Sequence, residues 1–410
     1  LADAGRTSQP HGTPAIAGAQ AAHPAAQTPV APTSTPRTEE PSPDHGNDKL
    51  AIVGMSCNLP GADTPEHLWH NLVHGHDAIT EVPQSRWNQH AFYDTTGDRG
   101  TTVSKWGGFV HGVQEIDPDA FGLTGEQAET LDPCMRLVLA GIDSCLADAG
   151  YTREEVQGTE TGVFVGARLG DYRQRVIRRD GSGGAGGDQN FLSAMASHVF
   201  HLTGPSMVVD TACSSGLTAL ALARQALLDQ SVTAAFVAGS EYLLDQAPYL
   251  EFTAMGALSR KGTCRTFNAD ADGFVPAEGC AVILVKRLRD ALRDGDRIRA
   301  VIDAVAIGND GHTMGLTTPS TTGQEKVVAN ALQTSGYRAG DIGMIEAHGT
   351  ATLIGDPIEL KALTNVYGGQ VAAGSCAIGS IKSNVGHLLG AAGMAGLVKA
   401  VLAVENGVIP

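Results

Sequence analysis

The chain lacks an excess of positive charge, and this absence limits the classes of molecule that it is expected to bind. Its 410 residues contain 28 Lys and Arg against 44 Asp and Glu, which gives a formal net charge of −16 at pH 7. The nucleic acid backbone is itself negative and is held chiefly by basic side chains, so this balance argues against such a partner. We therefore expect no nucleic acid in the function of this protein.

Motifs for metals and for nucleotide phosphates are also absent. The 7 cysteines include no CxxC pair, and no Cys/His spacing of a zinc site occurs, so we expect no bound metal. The chain has no Walker-type glycine loop, which excludes a P-loop nucleotide site. Scattered thiols in an acidic chain of this size are typical of a reduced, cytoplasmic protein.

Long hydrophobic runs are missing as well. The best candidate, residues 388–404, is interrupted by Lys399 and by several glycines, so the sequence predicts no membrane span and no membrane partner. No signal peptide is evident. Aromatic residues make up only 5% of the chain, whereas 51 residues are glycine. This composition favours closely packed helices and tight backbone approaches around a site.

The N-terminal segment differs from the rest of the chain. Residues 1–47 are rich in Ala, Pro, Thr, Gln and His, and they show almost no periodic hydrophobicity. Such a composition cannot bury enough apolar surface to order itself, so we predict a disordered, Ala/Pro-rich interdomain linker. The folded domain is then expected over residues 48–410. The chain starts without Met, and we expect it to be a piece of a longer protein.

From residue 49 onward, short apolar runs alternate with helical patterns. Helices are predicted at residues 66–73 and 134–149, the second ending at Gly150 as its C-cap. Strands are predicted at residues 50–53, 161–165, 234–237, 280–286 and 299–307. This alternation predicts an α/β fold in which layered helices cover mixed sheets.

A weak internal repeat accompanies this pattern. Residues 207–210 form an apolar run that leads to Cys213 and then to a small-residue helix through about residue 228. Residues 376–382 form a similar run that leads to His387 and to a second small-residue helix through about residue 404. If the two halves are related by a pseudo-two-fold axis, the starts of the two helices converge on one point.

Cys213 is the strongest candidate for chemistry. A strand, a sharp turn and a helix across residues 208–220 would place its thiol at a helix N-terminus, where unpaired N–H groups and the helix dipole favour a thiolate. Packing is the alternative role, since free cysteine is among the most often buried residues. Two later segments place His348 and His387 beside glycines, and a nucleophilic cysteine needs such partners, usually from far along the chain.

These segments carry a family resemblance. DTACSS, EAHGTAT followed by GDPIE, and SIKSNVGHLLGAAG resemble the three signature segments of β-ketoacyl synthases. The opening LAIVGMSCNLP at residues 50–60 is similar to the start of the ketosynthase domain in modular type I polyketide synthases. The likeness runs from about residue 49 to the end. One departure is Ala351, which stands where the family pattern HGTGT has its second glycine.

The resemblance implies a fold and a reaction. The fold would be a duplicated thiolase-like fold, and the reaction would be decarboxylative condensation in polyketide chain elongation, catalysed by an acyltransferase. Cys213 would hold the growing acyl chain as a thioester. His348 and His387 would stabilise, as neutral imidazoles, the enolate formed when a malonyl-type extender loses carbon dioxide. His387 would also lie closest to the thiol and help to take its proton.

Four further residues are candidates for a supporting role. Lys382 follows the predicted strand and would keep the imidazoles neutral. Glu346 lies two residues before His348, so both side chains would face the same way on a strand, and the family pattern implies that Lys382 and Glu346 pair. Thr350 and Thr352 alternate with His348 and could offer hydroxyls to a pantetheine arm, or could simply be good strand formers.

The remaining acidic and basic residues near these motifs receive simpler interpretations. Asp356 and Glu359 would be capping and structural residues. A cluster of arginines before a glycine-rich stretch is a candidate basic surface for an acidic carrier protein, although most charge clusters are only solvated faces. The cluster consists of Arg168, Arg173, Arg175, Arg178 and Arg179.

The resemblance also implies partners. The domain itself would bind no cofactor, because phosphopantetheine would arrive on a partner acyl carrier protein. A homodimer is expected, with residues 193–210 as the apolar stretch at its axis. Residues 404–410 look like the entry to another connection, and in ketosynthases the chain continues into further strands and a glycine-rich loop with a gating Phe. We therefore expect a C-terminally incomplete domain.

Other classes of protein stay open at this point. A catalytically silent dimerisation or gatekeeping module that binds acyl carriers would keep the fold without the condensation. A thiolase-like enzyme acting on coenzyme A esters would need a second catalytic cysteine, and no other Cys lies in a comparable motif. A papain-like hydrolase would need one His and an Asn rather than two histidine motifs.

Overall fold

The computed structural model describes residues 49–113, 115–168, 172–181 and 188–410. The predicted linker at residues 1–47 lies outside the described residues. The strands of the described part are β1 (Leu50–Asn58), β2 (Ile79–Glu81), β3 (Trp106–Gly108), β4 (Thr161–Ala167), β5 (Ser206–Val209), β6 (Ala234–Glu241), β7 (Gly279–Arg287), β8 (Ala300–Ile302), β9 (Met344–Glu346) and β10 (Ala377–Gly379).

The helices surround these strands. They are α1 (Pro65–Val73), α2 (Gln89–Phe92), α3 (Gly125–Thr130), α4 (Pro133–Ala149), α5 (Arg153–Val156), α6 (Tyr172–Asp180), α7 (Phe191–Val199), α8 (Ser215–Leu228), α9 (Ala247–Ala254), α10 (Leu288–Asp294), α11 (Thr321–Ser335), α12 (Gly355–Tyr367), α13 (Lys382–Val385) and α14 (Ala392–Asn406). The predicted helix that ends at Gly150 is confirmed as α4, because Gly150 takes a left-handed φ of 78°.

A six-stranded mixed sheet forms the centre, in the order β5-β4-β6-β7-β1-β8. Strands β5, β4 and β6 run parallel, whereas β7 is antiparallel to both β6 and β1. Two smaller sheets pair β10 with β9 in parallel and β2 with β3 in antiparallel. The predicted combination of mixed sheets and covering helices is therefore present.

Both faces of the central sheet are buried, which explains why its strands are apolar throughout rather than alternating. Side chains such as Leu50, Ile52 and Phe164 pack with α1, α8 and α14 on one face. Val163 and Val165 pack with α4 and α7 on the other. The carboxyl ends of the parallel strands β4, β5 and β6 consequently meet at one edge of a rigid layer.

Two predicted strands are shorter than expected. The strand predicted at residues 299–307 is only β8, because β1 pairs with it over Leu50–Ile52 and no further. The strand predicted at residues 376–382 is only β10, and Lys382 begins the one-turn helix α13. Lys382 therefore does not lie at a strand end.

The internal repeat is visible as two strand–turn–helix units. One runs from β5 through Cys213 to α8, and the other from β10 through His387 to α14. Helices α8 and α14 pack closely: a Cβ built on Gly216 would lie 2.6 Å from Met394 Cγ, and one on Gly239 would lie 2.8 Å from the same atom. Because these two glycines have no side chains, α14 can pack directly against α8 and β6.

The segment Leu389–Asn406 has 18 residues and is long and apolar enough to cross a membrane by length and composition. However, 67% of it is buried inside the fold, where it packs on the central sheet and on α8. Its apolar character is therefore accounted for by the core.

Candidate active site

Cys213 stands on a strained turn between β5 and α8. It lies in the 3-10 turn Ala212–Ser214, which leads directly into the helix. Ala212 has a φ of 54°, a left-handed conformation that costs a residue with a side chain about 1–2 kcal/mol. The N–H of Ala212 donates to Asp210 Oδ1 at 3.0 Å. Cys213 therefore lies directly before the start of α8, as predicted.

His387 is clamped at its backbone and at its ring. Its N–H donates to the Val275 carbonyl at 2.7 Å, and its own carbonyl accepts from Ala277 at 2.9 Å. The N–H of Leu389 donates to His387 Nδ1 at 3.1 Å. The Phe274 ring packs edge-on against the imidazole, with centroids 4.8 Å apart. His387 is therefore a rigid group in the buried interior.

His348 is held by a carboxylate that the sequence did not single out for this role. It follows β9, and the N–H groups of His348 and Gly349 donate to the two oxygens of Glu359 at 2.7 and 2.8 Å. Glu359 lies in α12, whose first turns contain the GDPIE segment. The expected structural role of Glu359 is therefore more specific: this residue positions the histidine.

The structure brings the three predicted residues together. One nitrogen of His348, one nitrogen of His387 and the sulfur of Cys213 all lie within 4.8 Å of one another. The two imidazole rings are nearly perpendicular, with centroids 5.4 Å apart and an interplanar angle of 86°. In the part of the chain that is described, no other Cys, His, Asp and Glu side chains converge in this way. The N and S atoms could also ligate a soft metal ion.

His348 opens onto a cavity of about 400 Å³ between α8, α11 and α12. The walls of the cavity include Leu217, Val327, Leu363 and residues 306–310. Although the His348 side chain is exposed to this cavity, the surrounding protein still desolvates it. Burial, and next the charge of Lys382, lower the pKa of His348 to about 3.

Both imidazoles are neutral near pH 7. Burial, and next Lys382, hold the pKa of His387 well below its ordinary value. The bond from Leu389 occupies Nδ1 as an acceptor, so the neutral ring carries its proton on Nε2. In this tautomer His387 donates a hydrogen bond and does not accept a proton at Nε2. The expectation that His387 helps to take the proton of the thiol is therefore wrong for this arrangement.

The thiol of Cys213 is also not the thiolate expected from its helix start. Burial raises its pKa above the ordinary value, while the nearby charges of Lys382 and Arg168 lower it only in part. Desolvation by the surrounding protein is the largest of these influences and outweighs the two favourable charges. Cys213 therefore rests as a neutral thiol.

The predicted pair of Lys382 and Glu346 is wrong. Glu346 Oε2 lies 2.7 Å from Lys399 Nζ in α14, and its Oε1 accepts the N–H of Ile381 at 2.6 Å. Among the described residues no carboxylate lies within ion-pair distance of Lys382. Burial lowers the pKa of Lys382, with attraction from Glu346, Cys213 and Glu359 acting in the opposite direction. Lys382 instead interacts electrostatically with Cys213, His348 and His387.

Thr350 and Thr352 do not lie on a strand, because β9 ends at Glu346. Gly349 and Ala351 have φ values of 47° and 58°, and these left-handed conformations turn the chain. The two threonine hydroxyls bond each other at 3.1 Å. Asp356 Oδ1 accepts the N–H of Ala351 at 2.9 Å, which agrees with its predicted structural role.

The arginine cluster is divided by the fold. Arg168 is part-buried and pairs with Glu241 at 3.0 Å, so its predicted place on a carrier-binding surface is wrong. Arg175 pairs with Asp245 at 2.5 Å, and Arg178 is exposed. The side chains of Arg173 and Arg179 lie outside the described residues.

Comparisons with known proteins agree with this geometry. The family model for the N-terminal domain of β-ketoacyl synthases matches residues 47–291, and the model for the C-terminal domain matches residues 299–410. The chain belongs to the β-ketoacyl synthase family. The predicted acyltransferase class is thereby confirmed at the level of the family, and so is the resemblance from which it came.

Similar curated proteins are mycobacterial polyketide synthases. Phthioceranic/hydroxyphthioceranic acid synthase of Mycobacterium tuberculosis is 42% identical over 369 residues, which cover 88% of this chain and 17% of that protein. Mycocerosic acid synthase-like polyketide synthase of Mycolicibacterium smegmatis is 41% identical over 367 residues, again 88% and 17%. The chain thus spans about 17% of the length of these relatives.

Solved structures of ketosynthases share the fold. The oxazolomycin ketosynthase domain from Streptomyces albus superposes with a TM-score of 0.84 at 36% identity, covering 87% of this chain and 64% of that one. The ketosynthase from module 6 of the bacillaene synthase of Bacillus subtilis gives 0.82 at 36% identity, covering 87% and 61%. The predicted thiolase-like α/β fold is therefore confirmed.

Proposed function

We propose that this chain takes an acyl group onto Cys213 and extends it with a malonyl-type unit by decarboxylative condensation, as a ketosynthase domain in polyketide chain elongation. The observation that carries the proposal is the convergence of Cys213, His348 and His387 within 4.8 Å. The three residues come from two halves of the chain, and simple packing does not require one thiol and two neutral imidazoles at one point.

In the first step the Cys213 sulfur attacks the carbonyl of an incoming thioester. The new bond joins Cys213 Sγ to the acyl carbon, the bond from that carbon to the donor sulfur breaks, and the donor thiol leaves with the proton of Cys213. Lys382 and Arg168 lower the pKa of the thiol in part, so they favour the developing thiolate. The backbone N–H of Cys213 would donate to the oxyanion.

In the second step a malonyl thioester loses carbon dioxide and becomes an enolate. His348 and His387 would each donate an N–H to the thioester oxygen as negative charge develops there. The enolate carbon then bonds to the acyl carbon, the acyl carbon releases Cys213 as a thiolate, and a proton restores the thiol. The low pKa values of both histidines suit this role, because a neutral imidazole donates without competing for the proton.

Both acyl groups would arrive on acyl carrier protein through a phosphopantetheine arm, and the domain itself would bind no cofactor. The cavity between α8, α11 and α12 supports such a route, because His348 is exposed at its wall. Thr350 and Thr352 lie four residues or fewer beyond this histidine, where their hydroxyls would contact the arm.

A homodimer is part of the proposal. Strand β5 forms one edge of the central sheet, and Ser206 and Met207 on it are exposed. In the described residues no strand pairs with its outer side, and an open edge of this kind readily pairs with another strand. Two copies joined along β5 would cover it, within the predicted stretch 193–210. Light scattering that finds only a monomer across micromolar concentrations would contradict this part.

The experiment for the reaction is intact-protein mass spectrometry after incubation with acyl- and malonyl-loaded carrier protein. The wild type should gain the acyl mass, then lose it as the carrier gains the extended chain. Cys213→Ala should gain no acyl mass. Cys134→Ala is the matched control, because Cys134 lies on α4 outside the three-residue group.

The same experiment tests the silent gatekeeping module. Such a protein would bind the carrier and could still be acylated, yet the carrier would never gain the extended chain. Acyl loading of Cys213→Ala, or normal loading without any condensation, would contradict the proposed reaction.

A further inference from the structure

A buried ion pair lies at the ends of two neighbouring strands, beside the catalytic cysteine. Ala167 of β4 is in register with Ser240 of β6, so the residues that follow, Arg168 and Glu241, lie side by side. Arg168 Nε and Nη2 each donate to one oxygen of the Glu241 carboxylate at 3.0 Å. The Glu241 side chain is 6% exposed and that of Arg168 is 21% exposed.

This pair lies at the same sheet edge from which Cys213 is presented. Strand β5 runs parallel to β4 and ends three residues before the turn that carries the thiol. Glu241 Oε2 also accepts the N–H of Gly390 at 3.2 Å, in the turn directly after His387. Glu241 therefore bonds to the turn that follows His387, and the ion pair lies beside the turn that carries Cys213.

The guanidinium of Arg168 packs near an aromatic ring. Its guanidinium carbon lies 5.7 Å from the centre of the Phe252 ring, and Phe252 packs in the hydrophobic cluster that also contains Phe274, Leu389 and Cys213. Arg168 also interacts electrostatically with Cys213 and His387. The cation is therefore part of the apolar wall against which an acyl group on Cys213 would rest.

Stability does not explain why a wall of this kind contains an ion pair. Replacing a buried pair by apolar side chains of similar volume is often neutral or stabilising. A wholly apolar wall would also receive a fully reduced acyl chain better. Glu241 engages Nε and Nη2, and no described residue accepts a hydrogen bond from Nη1. Nη1 is therefore available as a hydrogen-bond donor.

We infer that Arg168, held in place by Glu241, is a specificity-determining residue that favours acyl groups with an oxygen near the thioester, such as 3-hydroxyacyl or 3-oxoacyl groups, over fully reduced ones. This inference rests on the proposed function, since it assumes that Cys213 carries the acyl group. The oxygen would accept a charge-assisted hydrogen bond from the guanidinium, and a methylene in its place would leave that donor desolvated.

The test compares two small thioesters on the same enzyme. Cys213 is acylated with N-acetylcysteamine thioesters of 3-hydroxybutyrate and of butyrate, and second-order rate constants are measured by intact-protein mass. Cys213 gains the acyl group, and N-acetylcysteamine leaves with the proton of the thiol. We expect the ratio of the two rate constants to fall about tenfold or more in Arg168→Met.

Two further variants keep the result interpretable. Arg168→Met with Glu241→Gln avoids a buried, unpaired carboxylate and keeps the acceptor for Gly390, so it should fold and show the same fall in the ratio. Arg153→Met removes the more exposed pair with Asp143 and should leave the ratio unchanged. Thermal melting confirms that each variant is folded.

The outcomes separate the two proposals. An unchanged ratio in the folded double variant, with acyl mass still on Cys213, would overturn this inference alone. No acyl mass on wild-type Cys213 from either thioester would overturn the proposed function and this inference with it.

Discussion

The backbone N–H of Leu389 donates to Nδ1 of His387 at 3.1 Å, and this bond determines which ring nitrogen carries the proton. The ring has one remaining nitrogen, which carries the proton in the neutral state. Leu389 itself has a φ of 46°, so the chain adopts a costly conformation where this bond is made. Strained residues often occur at functional sites because the surrounding fold holds them there.

The first prediction concerns stability in acid. His387 is 1% exposed, and burial holds its pKa well below the ordinary value. As pH falls below about 6.5, the unfolded chain binds a proton at this residue and the folded chain does not, so folding is weakened. In His387→Gln the free energy of unfolding should depend on pH less steeply, by about 1.4 kcal/mol per pH unit between pH 6 and 4.

Urea unfolding at a series of pH values measures this slope. The exposed His312 provides the control, because His312→Gln should follow the wild type. Parallel curves for the wild type and His387→Gln would contradict a buried neutral imidazole.

The second prediction separates the two half-reactions. His348→Ala should leave acyl loading of Cys213 largely intact, because the loading step depends on the thiol and its nearby cations. Malonyl decarboxylation should fall about 10²–10³-fold, the usual effect of losing one oxyanion donor. With a pKa of about 3, wild-type His348 should also cause no acid limb in the decarboxylation rate between pH 5 and 8. Wild-type decarboxylation in the variant would show that His348 is not a donor.

The third prediction concerns the cation next to the thiol. Lys382 is 4% exposed and lowers the pKa of Cys213. In Lys382→Met that pKa should rise, so the thiolate fraction and the alkylation rate of Cys213 at pH 8 should fall severalfold. The rate of iodoacetamide labelling against pH reports the change. Lys361→Met changes an exposed lysine of α12 and should have no effect; an equal rate for Lys382→Met would count against the interaction.

The fourth prediction tests the corrected ion pair. Glu346 and Lys399 have side chains that are 10% and 7% exposed. Removing one partner leaves the other as a buried charge without a counter-ion. Lys399→Met should lower the free energy of unfolding by about 3–5 kcal/mol. Adding Glu346→Gln removes the charge while keeping an acceptor for Ile381, and should recover much of the loss. Chemical denaturation of the three proteins checks this; no recovery in the double variant would show that the loss has another cause.

The fifth prediction concerns the departure from the family motif. Ala351 is fully buried with a φ of 58°, a conformation that glycine adopts without strain. Ala392, also buried, begins α14 with a φ of −58°. Ala351→Gly should therefore cost about 1–2 kcal/mol less stability than Ala392→Gly. Thermal or urea unfolding of both variants measures the difference, and equal losses would show that the strain at Ala351 is negligible.

Local patterns were sufficient to predict the elements that position the candidate site. The apolar run before Cys213, the small-residue helix after it, and the matching run before His387 all come from neighbouring residues whose spacing defines strands and helices. The central strands were also predicted, because burial on both faces makes them continuously apolar. The resemblance then identified which residues to expect at one point.

The supporting contacts were not predictable in the same way. Glu346 pairs with Lys399 and Arg168 pairs with Glu241 only because separate elements meet in three dimensions. The neutral state of the Cys213 thiol was also not predicted, because desolvation depends on how the whole fold surrounds this residue. Sequence spacing describes neighbours along a helix or strand, and it carries little information on which charge packs against which.

The fit of Met394 against Gly216 and Gly239 limits how this chain can be recombined with its relatives. The two glycines belong to the segment matched by the N-terminal family model, and Met394 belongs to the segment matched by the C-terminal one. A chimera joined between them would combine helix surfaces from two parents. Unless the parents share small residues at both glycine positions, α14 would be displaced and His387 would move with it relative to Cys213. Transplanting all three residues together should restore activity to such a hybrid.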